Sequence, residues 1–111
     1  MSTSHDLPEA VWLFAGGPMQ RRAADAIKRR GYRLILTDGN QECVLKASAD
    51  EFVNLDTFES VANIARGKEL STRYAIKAVL TVAADCHETV ANVAQSLGCH
   101  HIDPVLSHRC R

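Results

Sequence analysis

Val11-Trp12-Leu13-Phe14-Ala15-Gly16-Gly17-Pro18-Met19-Gln20 is an apolar run that stops at two glycines and a proline and then turns helical. A parallel strand is buried on both faces, so it shows a continuous run of this kind rather than alternation. Gly16 and Gly17 let the backbone turn tightly and come close to a bound group, and Pro18 suits a first helical position, where no N–H bond is lost. The free N–H groups of a first helical turn attract anions. The stretch therefore predicts a strand-to-helix turn at a sheet edge, facing a ligand that carries phosphate or carboxylate.

Working outward, Met19, Ala23, Ala24 and Ile27 mark one face of a helix that stops at Gly31, with Arg21, Arg22, Lys28 and Arg29 mostly elsewhere as a solvated face. Tyr32-Arg33-Leu34-Ile35-Leu36-Thr37 reads as a second strand that delivers Asp38-Gly39-Asn40 to the same edge as the glycines. Glu51-Phe52-Val53-Asn54-Leu55 alternates as a short third strand. Asp56-Thr57-Phe58-Glu59 has the form of a capping box opening a helix over Phe58, Val61, Ala62 and Ala65, with Gly67 weakening its end. Ala78-Val79-Leu80-Thr81-Val82-Ala83 is a fourth, buried strand. Asp85 then caps a helix whose apolar stripe is Cys86, Val90, Val93, Ala94 and Leu97, ended by Gly98. His100-His101-Ile102 forms a last edge strand, and residues from Val105 begin a further helix.

Strands alternating with helices imply a parallel sheet with helices on both faces, because parallel strands need right-handed crossovers. Ligands of such sheets bind beyond the carboxyl ends of the strands. Gly16, Gly17, Gln20, Asp38, Asn40, Thr81 and Asp85 are predicted to meet there, Asp85 more as a helix cap than as a contact.

The 111 residues suffice for one domain and one core. Thirteen Lys and Arg balance thirteen Asp and Glu, and no Lys/Arg-rich block occurs, so no nucleic-acid partner is expected. The first ten residues lack the charged start and apolar centre of a signal peptide, and no stretch is long enough to span a bilayer. Neither a membrane partner nor a compartment other than the cytoplasm is expected. Four cysteines without a C-x-x-C pair suit reduced thiols. Cys86-His87-Glu88 and Cys99-His100-His101 offer zinc-type ligands, but their spacings match no common zinc pattern and Cys86 lies on an apolar helix stripe. No metal site is expected.

A dinucleotide site would want G-x-G-x-x-G, of which Gly16-Gly17 supplies only two adjacent glycines, although Asp38 lies near the expected ribose-binding acid. A phosphoacceptor receiver would need an acidic cluster where Ala15-Gly16-Gly17 stands, and no Gly-Lys-Ser/Thr of a P-loop occurs.

Gly16-Gly17-Pro18-Met19-Gln20, Ala26-Ile27-Lys28-Arg29-Arg30-Gly31-Tyr32, Asp38-Gly39-Asn40, Ala49-Asp50-Glu51-Phe52 and Asp56 resemble, in order and spacing, the N-terminal preATP-grasp domain of ATP-grasp ligases. Ala78 to Asp85, Val90 to Ala94 and Leu97-Gly98 continue the resemblance. The look-alikes are proteins of the biotin carboxylase and carbamoyl phosphate synthase type. The resemblance implies a three-layer Rossmann-like parallel sheet of four to five strands. A disordered segment is expected over 1–10, and the resemblance implies the preATP-grasp domain over 11–111, with 105–111 the start of a linker or helix into an ATP-grasp domain. The family activates a carboxylate as an acyl phosphate, which an amine or similar nucleophile attacks. This domain forms one wall of the substrate cleft. ATP and Mg²⁺ belong to the parent ligase and not to this chain, and no catalytic residue is assigned within it.

Gly16, Gly17 and Asp38 carry over as contacts for a small carboxylate or phosphate ligand, with Gln20, Asn40 and Thr81 beside them. His108 stands where the family usually has a lysine. The implied partner is the ATP-grasp domain, docking around Val105 and Leu106, with a homodimer as the alternative. A non-catalytic Rossmann-like small-molecule or nucleotide-binding or interaction module is the competing function class, since this architecture hosts many activities.

Overall fold

A computed structural model describes residues 7–14, 20–43, 45–57, 59–81, 87–98 and 100–102. In chain order the elements are β1 (Glu9–Phe14), α1 (Arg21–Arg29), β2 (Arg33–Thr37), a 3-10 turn (Lys46–Ser48), β3 (Glu51–Val53), α2 (Ser60–Leu70), β4 (Ala75–Leu80), α3 (His87–Leu97) and β5 (His100–Ile102). The sheet has five strands in the order β3-β2-β1-β4-β5, and every neighbouring pair is parallel. The chain builds outward from β1 through β2 to β3, then crosses back to lay β4 on the other side of β1. The strand order therefore reverses between β1 and β4, where an open parallel sheet leaves a crevice at its carboxyl edge.

Period-two geometry sorts the side chains of β1 onto two cores. Ala10, Trp12 and Phe14 join Ile35, Val53, Leu70, Val79, Val90, Val93 and Ala94 under α2 and α3. Val11 and Leu13 join Ala24, Ile27, Leu34, Leu36, Leu45 and Leu80 under α1. This is the three-layer, Rossmann-like α/β arrangement expected from the sequence. β1 starts at Glu9, two residues before Val11, and Ala10 is fully buried.

The helix stops are local and chemical. Gly31 has φ 88°, its N–H donates to the Lys28 carbonyl at 3.0 Å, and the Tyr32 N–H donates to the Ile27 carbonyl at 3.2 Å. That is the Schellman pair, which turns α1 into β2 in three residues. Gly98, φ 68°, ends α3 in the left-handed region as its sequence position predicts. Of the α3 stripe, Val90, Val93 and Ala94 are buried and Leu97 packs against them, while Cys86 lies outside the described residues.

α2 departs from its sequence reading. It begins at Ser60 with Glu59 at the N-cap, where no side chain caps it, rather than at a box anchored on Asp56. Its buried face is Asn63, Gly67 and Leu70, while Val61 is 81% exposed and Ala65 faces solvent. Gly67 lies within the helix, not at a weakened end. A Cβ on it would stand 2.8 Å from Cζ3 of Trp12 and 3.3 Å from Cδ1 of Leu97, so the missing side chain lets the helix rest on the indole.

β4 spans Ala75–Leu80 rather than starting at Ala78. Its register against β1 steps from Ala10↔Ile76 to Val11↔Ala78, leaving Lys77 as a bulge residue. The bulge breaks the alternation over 75–77 and hides the start of the strand from a periodicity reading. β3 ends at Val53, so Asn54 and Leu55 belong to the following loop. Val82 to Cys86, Phe58, Cys99 and residues from Asp103 lie outside the described residues. No helix among the described residues is long and apolar enough to cross a membrane.

Two predictions follow from the packing. Gly67→Ala gains about 1 kcal/mol of helix propensity but forces a methyl against a buried ring, at a cost of about 1–3 kcal/mol, so urea unfolding should show net destabilisation. Asp50 Oδ2 accepts the Leu34 N–H at 2.8 Å and lies 3.2 Å from Lys28 Nζ. Burial raises the Asp50 pKa, but that amide and Lys28 outweigh it and hold the carboxyl below its ordinary value. A depressed carboxylate contributes stability above its unfolded-state pKa and loses it as pH falls through the folded one. Asp50→Asn should therefore lower stability at neutral pH and flatten the acid limb of the stability profile below about pH 4.

Candidate functional site

The register aligns the strand ends at one edge: Phe14 lies beside Thr37, Thr37 beside Val53, and Leu13 beside Leu80. The chain then leaves each strand on that edge, which brings Gln20, Asp38, Asn40 and Thr81 to the same end of the sheet. Gly16 and Gly17, with Asp85, lie outside the described residues. Gln20 is 6% exposed at the N-cap of α1 and makes no side-chain cap. The next two residues are Arg21 and Arg22, and the first turn of α1 carries no acidic side chain. Thr81 is fully buried, and its hydroxyl donates to the Phe14 carbonyl at 3.3 Å, tying β4 to β1 at the point where strand order reverses.

Asp38 and Asn40 shape a turn. Asp38 Oδ1 accepts the Asn40 N–H at 2.7 Å, and Asn40 Oδ1 accepts the Glu42 N–H at 2.9 Å, two consecutive Asx turns. Cys43 follows, its N–H on the Asn40 carbonyl at 3.1 Å. Burial, and after it the Asp38 charge, pushes the Cys43 thiol up, so it is a weakly nucleophilic thiol at neutral pH. The described residues over 37–45 and 54–59 include Asp38, Glu42, Asp56 and Glu59 and no Lys or Arg. Arg21 and Arg22 open α1, and Arg21 Nη1 donates to Ser48 Oγ at 3.4 Å.

Behind the edge runs a buried polar chain. Trp12 Nε1 donates to Thr37 Oγ1 at 2.9 Å, the Thr37 hydroxyl donates to Asn63 Oδ1 at 3.2 Å, and Asn63 Nδ2 donates to the carbonyls of Asp56 at 3.0 Å and Glu59 at 2.8 Å. The Asp38 N–H donates to the Val53 carbonyl at 3.1 Å, and Asn54 Nδ2 donates to the Asp38 carbonyl at 3.1 Å. Thr37, Asn54 and Asn63 were not among the sequence-predicted site residues. Thr37 was legible as the polar end of an apolar strand, but Asn63 was masked by the search for apolar helix positions. Among the described residues no group of three His, Cys, Asp or Glu side chains could hold a metal ion.

Neither a protein-family model nor a curated protein matches the sequence. Solved structures do share its fold. The chain is similar to N5-carboxyaminoimidazole synthetase from Staphylococcus aureus, with TM-score 0.55 and 16% identity over 68% of this chain and 19% of that one. The ADP complex of the same synthetase gives the same figures. An ADP complex of N5-carboxyaminoimidazole ribonucleotide synthetase is similar with TM-score 0.64 and 16% identity, over 86% of this chain and 24% of that one. The likeness falls on the N-terminal region of that enzyme. The chain thus spans 19% to 24% of the length of these structures, and the likeness is one of fold.

The Asx geometry makes one prediction. Asp38→Ala removes the acceptor that closes the first turn, and hydrogen exchange should read a rise of about tenfold in the Asn40 amide rate, the equivalent of one lost hydrogen bond, with the amides of Leu34 to Leu36 unchanged.

Proposed function

We propose that this chain is the N-terminal, substrate-side domain of an ATP-dependent carboxylate ligase of the ATP-grasp class, of the carbamoyl phosphate synthase-like kind. The observation that carries the reading is the likeness, over 86% of the chain, to the N-terminal region of a synthetase that is an ATP-grasp ligase. The all-parallel sheet, with its order reversing between β1 and β4, is consistent with it, because such a sheet sets a ligand crevice at its carboxyl edge.

In this reading the chain binds and does not catalyse. Gly16, Gly17 and Gln20 approach a carboxylate or phosphate group with their backbone N–H groups, ahead of α1. Asp38 and Asn40 meet the polar, uncharged part of the ligand on the β2 side, and Thr81 supports the floor from behind, through its bond to the Phe14 carbonyl. The ATP-grasp domain, as the partner of this one, would hold ATP and Mg²⁺ and supply the activation of the carboxylate.

The test uses the pure chain. ATP turnover should be undetectable, since in this reading the partner domain binds ATP, while inorganic phosphate and bicarbonate should each shift the amide resonances of Gly16 to Gln20. Gly17→Val should abolish those shifts. ATP turnover that a mutation in the chain removes, or amides that stay silent at both anions, would contradict the reading.

A further inference from the structure

We propose that Asn63 is the positioning residue of the carboxyl edge: it locks the loop between β3 and α2 to the end of β2, so that the Asp38–Asn40 turn and that loop form one preassembled wall. The inference deepens the proposed function, since it rests on the carboxyl edge being the binding face.

Asn63 is fully buried on a helix face that otherwise presents Gly67 and Leu70 to the core. A buried carboxamide is costly unless its donors and acceptor are all used. Here Oδ1 accepts from Thr37, and the two Nδ2 hydrogens go to the Asp56 and Glu59 carbonyls. The Glu59 N–H also donates to the Asp56 carbonyl at 3.0 Å, so one amide holds both ends of a tight turn that leads into α2. The other end of the loop is held by Asn54 Nδ2 on the Asp38 carbonyl. Thr37, Asp38, Asn54, Asp56 and Asn63 therefore close a hydrogen-bonded ring around the junction of two loops.

Gly39 sits inside that junction. A Cβ on it would lie 3.6 Å from the Asp56 Cα and 3.8 Å from the Leu55 carbonyl oxygen, ordinary contact distances, so the turn and the loop already touch. Thr37 accepts from Trp12 Nε1 while donating to Asn63, which extends the ring into the core. A movement of the loop must then be felt at the indole, though Asn63 makes no hydrogen bond to Trp12.

Trp12 is the chain's one tryptophan, so its indole N–H gives a single, assignable resonance in the full-length protein. Asn63→Ala should displace that resonance and speed amide exchange at Asp38 and Glu59 by about tenfold, with Leu34 to Leu36 unchanged. Thr37→Val should do the same, and Thr37→Ser, which keeps the hydroxyl, should restore both the resonance and the protection. The Thr37 pair decides the matter even where Asn63→Ala does not fold. Unchanged exchange at Asp38 and Glu59 in folded Asn63→Ala or Thr37→Val, or Thr37→Ser behaving like Thr37→Val, would overturn the proposal. No ligand enters the test, so a failure to bind phosphate counts against the proposed function and leaves this result to be read alone.

Discussion

The Trp12 side chain is the constraint on which the rest depends. It projects from the central strand, is fully buried, and stands 5.3 Å from the Phe14 ring at a 34° tilt. A ring of that size on the middle strand sets how closely a helix can approach the sheet, and only a residue without a Cβ lets the helix backbone come down onto it. Gly67 is that residue, and it fixes both the depth and the rotation of α2. The rotation brings Asn63, one turn earlier, into the core. The indole N–H needs an acceptor once buried, and Thr37 supplies it at the carboxyl end of β2. The packing of one aromatic ring thus reaches the rim of the candidate site in two hydrogen bonds.

The elements that a one-dimensional pattern encodes were legible. β1 and β2 show continuous apolar runs because both faces are covered, and α3 shows its stripe because it packs along one side only. The stops at Gly31 and Gly98 were legible because a positive φ selects glycine. What was hidden depends on partners distant in sequence. The face of α2 is polar where it is most buried, since Asn63 exchanges water for three protein partners, and hydrophobic periodicity points to Val61 and Ala65 instead. The start of β4 was hidden by the Lys77 bulge, which no propensity scale registers.

The candidate site divides in the same way. Parallel connectivity alone sends Gln20, Asp38, Asn40 and Thr81 to one edge, so their convergence follows from reading strands and helices correctly. Their roles do not follow from sequence. The Thr81 hydroxyl is committed to the Phe14 carbonyl, and the Asp38 and Asn40 side chains close turns, so these groups build the edge as well as face it. The distribution of charge is also a property of the folded edge: acidic side chains lie on the β2 and β3 side, and arginines open α1.

The central claim is that core and edge form one cooperative unit joined through Trp12, Thr37 and Asn63. Native-state hydrogen exchange on the unmodified chain tests it most directly. The Trp12 indole proton and the amides of Asp38, Asn63 and Glu59 should open together, with a common free energy and a common denaturant dependence. Exchange of Asp38 and Glu59 through a separate, low-energy opening, while the indole proton stays protected, would contradict it.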